Sequence, residues 1–98
     1  MKRAVIAGYS RSPFTMARKG DLIDVKPVNM FAEVVKNLVS KTKVNPTDIE
    51  DIVVGCAFQV GEQSFNIGKL ATFLSVMEIH TSGMTVDRWC GSSMEAIH

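Results

Sequence analysis

Cysteine is scarce in this chain: two among 98 residues, Cys56 and Cys90. They form no Cys-x-x-Cys pair and stand beside no histidine cluster, which argues against a disulfide framework or a zinc site and for free thiols in a reducing compartment. Neither charge is in excess, with 11 Lys and Arg against 10 Asp and Glu, and the cations are scattered along the chain. That leaves no electrostatic footprint for a phosphate backbone, so nucleic acid is not an expected partner. Long apolar runs are also missing. The longest, Ile52 to Phe58, is interrupted by Gly55 and falls short of the roughly 18 residues that cross a bilayer. The first eight residues have too brief an apolar stretch for a secretory signal and too little Arg and Ser for a transit peptide, so a cytoplasmic location and no membrane association are expected. There is no repeat, low-complexity segment or linker.

What is present reads as a globular α/β chain, 46% hydrophobic and long enough for one domain. Ala4-Val5-Ile6-Ala7-Gly8 is a nearly continuous apolar run ending in Gly, the pattern of a buried strand. Residues 9 to 26 lack periodicity and contain Gly and Pro, which predicts a surface loop. From Val28 to about Lys41, Met30, Phe31, Val34, Val35, Leu38 and Val39 form one helical stripe, with Pro27 suited to the first turn. Thr47 to Asp51 reads as a turn or single helical turn leading into a second strand, Ile52 to Cys56. Strand, helix and strand imply a right-handed parallel crossover. Ile67, Leu70, Ala71, Leu74 and Met77 mark a second amphipathic helix, and Met84 to Asp87 a third strand. A helix then begins near Cys90. The expectation is a βαβαβα unit with a mostly parallel sheet. An uncapped final helix of about two turns is marginal alone, because isolated helices need ~12–15 residues, and the sequence reads as cut rather than finished.

The chemistry concentrates at Val86-Asp87-Arg88-Trp89-Cys90-Gly91-Ser92-Ser93. A cysteine at a strand-to-helix junction faces unpaired N–H groups and the positive end of a helix dipole, both of which favour a thiolate, and Arg88 adds to that field. Gly91, Ser92 and Ser93 allow close approach to the sulfur, and the Cys90 N–H suits one half of an oxyanion site. The alternative reading of any cytosolic cysteine is a small buried hydrophobe, and Cys56, at the end of an apolar strand, keeps it. Trp89 reads equally as the lining of an acyl channel or as core filler. The scattered methionines read as packing, and Arg11, Arg18 and Lys19 as solvated loop cations without a Gly-rich phosphate cradle.

The segment Val86 to Ala96 resembles the nucleophile segment of thiolases, where Asn-Arg, a variable residue and Cys are followed by small residues and an Ala. Arg11-Ser12-Pro13-Phe14 is similar to the family's Arg-Thr-Pro-Phe, and Ile52 to Gly61 to its strand ending in Gly and a Gln-x-Gly turn, in the same order and spacing. The Cys-Gly-Ser-Ser-Met form is similar to that of bacterial degradative 3-ketoacyl-CoA thiolases. The resemblance implies that residues 1–98 are the truncated amino-terminal part of a thiolase N-terminal domain. It also implies an acyltransferase of fatty-acid degradation with Cys90 as the acyl-carrying nucleophile, coenzyme A as co-substrate, no bound cofactor and a homo-oligomeric full-length protein.

Departures from the pattern are Asp87 for the usual Asn, Ser12 for Thr, and Lys69 where Arg is common. Asp87 opposes ionisation of a nearby thiol unless a cation such as Arg88 neutralises it. The family's Gly-His-Pro histidine, second cysteine and oxyanion Asn have no counterpart among these residues, and neither His80 nor His98 is placed to be the missing base. A non-catalytic α/β binding module and a redox-sensing thiol protein are the alternative functions.

Overall fold

The computed structural model describes residues 1–98. Its regular elements, in chain order, are α1 (Pro27–Thr42), β1 (Asp51–Gly55), α2 (Ile67–Leu74), β2 (Ser82–Val86) and α3 (Ser92–Ile97), with single 3₁₀ turns at Pro46–Asp48, Gly61–Gln63 and Trp89–Gly91. β1 and β2 pair in parallel, Asp51 opposite Ser82 through Gly55 opposite Val86, with α2 in the crossover. The chain is therefore α/β, as its periodicities predict.

The helices form where the pattern places them. Pro27 opens α1, supplying a fixed φ where its missing N–H has no helical partner to lose. Lys43 closes it in the left-handed region at φ 58°, donating its N–H to the Val39 carbonyl. Asn66 caps α2 from φ 56°, its Oδ1 accepting from Lys69 N–H at 3.3 Å. α2 lies directly on β2, with glycine at both contact points. A Cβ on Gly68 would overlap the Met84 carbonyl, and one on Gly83 would stand 2.7 Å from the Gly68 oxygen. Thr81, fully buried, donates its hydroxyl to the Ile49 carbonyl at 2.9 Å, and Ser82 N–H donates to Glu50 O at 2.8 Å, so the register of β2 is set at its first residue.

One expected element is absent. Ala4–Gly8 is not a strand: the backbone of residues 2–8 joins no hydrogen bond, and Val5 and Ile6 are about four-fifths exposed. A strand exists through its ladder, and this run is held elsewhere. Ser10 Oγ donates to Asn37 Oδ1 at 2.8 Å, while Lys41 Nζ donates to the Tyr9 carbonyl at 3.3 Å and sits 4.6 Å from that ring. These contacts fasten the segment beside the C-terminal half of α1 and leave β1 with one unpaired edge. The crossover present is β1–α2–β2, in place of one beginning at residue 4.

Only eight residues are buried, among them Ala32, Val54, Ile67 and Ala71. The accessible surface is 7810 Å², against about 5,500 Å² for a compact chain of this mass. The excess is apolar in large part, with Phe14, Phe58, Phe65, Phe73, Trp89 and Ile97 all well exposed. No helix is long and apolar enough to cross a membrane.

Candidate active site

The turn carrying Cys90 follows β2 directly, at the carboxyl end of the parallel pair. Cys90 lies inside the 3₁₀ turn Trp89–Gly91, and α3 starts only at Ser92, so the cysteine precedes the helix instead of occupying its first turn. Trp89 turns the chain sharply, with φ 48° in the left-handed region that bulky residues rarely adopt. Asp87 Oδ1 accepts the Trp89 N–H at 2.9 Å, which gives the departure from the family's Asn a local backbone role. Gly91 N–H donates to the Arg88 carbonyl at 2.9 Å and closes the turn. The Cys90 N–H has no protein acceptor, and the thiol is exposed.

Arg88 does not neutralise Asp87. Its Nη1 pairs with Glu95 Oε2 at 2.9 Å, joining the turn to α3 along the surface. Trp89 is 81% exposed, so it fills no core in this chain. Ser92, which composition marks only as small, is 4% exposed and bridges the backbone on both sides of the turn. Its signal in the sequence is faint: a serine just past a strand end, where hydroxyls often bond local backbone. Gly55 holds this assembly against the sheet, because a Cβ there would overlap the Ser92 and Ser93 backbone.

The other candidate residues lie apart. His80 precedes β2, the full length of the strand from Cys90, and its Nε2 is 3.2 Å from the Thr47 carbonyl. His98 ends α3. Cys56 is half-buried and lines an apolar groove of about 470 Å³ between α1, β1 and α3 that does not include Cys90. That groove flanks β1 and α1 and reads as packing space rather than as the site. Arg11 lies over the Phe14 ring at 5.5 Å, and no three His, Cys, Asp or Glu residues converge as metal ligands would.

A model of the thiolase N-terminal domain matches residues 4–98. The chain belongs to the thiolase family. It is 39% identical over 99 aligned positions to the 3-ketoacyl-CoA thiolases of Shewanella frigidimarina and Colwellia psychrerythraea, and 36% identical to that of Vibrio vulnificus. In each case the whole of this chain is matched, and it spans 26% of the relative's length. The crystal structure of the Bacillus anthracis acetyl-CoA acetyltransferase superposes with a TM-score of 0.69 at 25% identity, covering 78% of this chain and 19% of that one. This thiolase chain thus shares the fold of one part of that solved structure.

Proposed function

We propose that residues 1–98 are the amino-terminal part of a thiolase N-terminal domain, and that Cys90 is the nucleophile of the whole enzyme. The observation that carries this reading is the presentation of Cys90. In a chain of this family, one exposed thiol stands on a tight turn at the carboxyl end of a parallel strand, next to a backbone N–H with no acceptor.

The reaction is the one that membership of the thiolase family implies, with those groups in its roles. The Cys90 thiolate attacks the 3-keto carbonyl of a 3-ketoacyl-CoA, and the C2–C3 bond breaks to leave an acyl thioester on sulfur. The leaving carbanion takes a proton and departs as acetyl-CoA. Coenzyme A then receives the acyl group and Cys90 recovers its thiol; the reverse sequence is a condensation. The free Cys90 N–H suits one donor to the oxyanion in both steps. Acid and base groups come from segments other than these 98 residues, since His80 and His98 lie away from the sulfur. The proposed setting is fatty-acid degradation in the cytoplasm, with acyl-CoA and coenzyme A as substrates and a homo-oligomeric whole protein.

The test is a graft. Residues 1–98 replace the matching part of the Shewanella frigidimarina 3-ketoacyl-CoA thiolase, and the chimera is assayed for 3-ketoacyl-CoA cleavage and, by mass spectrometry, for acyl-Cys90. Cleavage with acylation at Cys90, both lost in C90A, is the expected result. A folded chimera that neither cleaves substrate nor acylates Cys90 would overturn the reading. The 98 residues alone are expected to show no turnover, and cleavage by the isolated chain would contradict that.

A further inference from the structure

The turn that presents Cys90 contains one polar side chain that is nearly sealed from solvent. Ser92 Oγ accepts the Arg88 N–H at 2.7 Å and donates to the Trp89 carbonyl at 2.7 Å, with 4% of the residue exposed. Those two backbone groups flank the left-handed Trp89. A non-glycine residue persists at such a φ only where its surroundings hold it there. The indole does not do so, being 81% exposed, and nothing stands within 4 Å of where a Gly91 Cβ would be. The Asp87 carboxylate grips one side of Trp89, through its N–H. Ser92 is the side chain that reaches across the turn, its own N–H also donating to the Trp89 carbonyl, and Gly55 allows its backbone to rest on the end of β1.

We propose that Ser92 is a positioning residue for the Cys90 nucleophile: its hydroxyl clamps Trp89 in the left-handed conformation and so sets the direction of the Cys90 sulfur and N–H. The inference rests on the reading of Cys90 as nucleophile and adds to it the part that holds the turn. Without the hydroxyl the Arg88 N–H loses its acceptor and the Trp89 carbonyl keeps only the Ser92 N–H, so Trp89 relaxes toward negative φ, which swings the following residue relative to α3 and the strand end.

The experiment uses the full chain and phenyl thioacetate, an activated acyl thioester that requires no coenzyme A pocket. The Cys90 thiolate attacks its carbonyl, thiophenolate leaves, and acylation at Cys90 and Cys56 is followed separately by peptide mass spectrometry. Folding is monitored by circular dichroism, and the chain in urea supplies the unstructured rate. S92A is expected to lower the Cys90 rate about tenfold, since small misplacements of reacting groups have effects of that size or larger. The double variant W89G/S92A is expected to return to within about threefold of the original rate, because glycine takes positive φ without a clamp. That rescue separates positioning from simple loss of structure. If S92A unfolds, the near-isosteric pair S92T and S92V replaces it, with S92T keeping the fast rate and S92V losing it.

An unchanged Cys90 rate in folded S92A, equal rates in S92T and S92V, or a double variant no faster than S92A would overturn the clamp while leaving the nucleophile in place. A native Cys90 no faster than the urea-unfolded chain would show that the turn does not activate the sulfur and would overturn the clamp too, while the nucleophile reading stands or falls with the chimera.

Discussion

Gly55, the last residue of β1, meets Ser92, the first of α3, so closely that a side chain on the glycine would overlap the serine's backbone. The contact ties the end of the sheet to the turn that carries Cys90. Gly55→Ala therefore has no flexible neighbour to displace, because the obstructing atoms are main chain. Overpacking of this kind costs about 1–3 kcal/mol. The expected outcome is a lower urea midpoint and weaker protection of the α3 amides. An unchanged midpoint would mean that α3 moves freely over β1.

Asn66 does several tasks with one amide. Its Oδ1 accepts from Lys69 N–H and from Thr85 Oγ1 at 2.7 Å, its Nδ2 donates to the Gly83 carbonyl at 3.0 Å, and its backbone sits at φ 56°. Asn66→Ala loses the cap and both links to β2 while keeping a Cβ at positive φ, and about 2 kcal/mol of stability is expected to go, the upper part of the range for a lost cap. Asn66→Gly loses the same hydrogen bonds but relieves the backbone, so it is expected to fall between the two. Urea unfolding of the three chains checks that order, and a glycine variant less stable than the alanine variant would contradict it.

The Arg88–Glu95 pair invites a larger claim than its surroundings permit. The two side chains are 72% and 38% exposed, so solvent and salt screen their attraction. Pairs of this kind contribute about 0–1 kcal/mol. Glu95→Gln is accordingly expected to shift the unfolding free energy by less than about 1 kcal/mol in physiological salt, the range of exposed pairs measured by mutant cycles. A loss several times larger would show that the pair organises α3 instead of decorating it.

Helices and strands inside the chain were legible because each advertises itself locally. The stripe from Met30 to Val39 has helical spacing, Ile52 to Val54 form an apolar run before a Gly, and Pro27 marks a helix start. The Cys90 turn was legible as a location but not as a mechanism. No residue preference announces positive φ at a tryptophan, and the choice of Glu95 over Asp87 as the partner of Arg88 depends on where α3 lies in space. Ser92 illustrates the same limit: its composition says "small", and its clamp exists only once the turn is folded. The opening run failed for the opposite reason. Ala4–Gly8 has the composition of a buried strand, yet a strand needs a partner edge, which is a property of tertiary structure.

Hydrogen exchange tests that last distinction directly. The backbone of residues 2–8 makes no hydrogen bond, whereas the ladder amides of β1 and β2 are paired, with Cys56 N–H extending it to the Val86 carbonyl at 3.0 Å. Amide protection follows the free energy needed to break the hydrogen bond, which is near zero for an unbonded exposed segment and approaches the global value in a core strand. Residues 2–8 are therefore expected to exchange at the rate of an unstructured peptide while the alternate amides of β1 and β2 that enter the ladder are slowed together. Protection of Val5 and Ile6 comparable to that of Val54 and Cys56 would show instead that the opening run docks on the free edge of β1 in solution, making the sheet three-stranded.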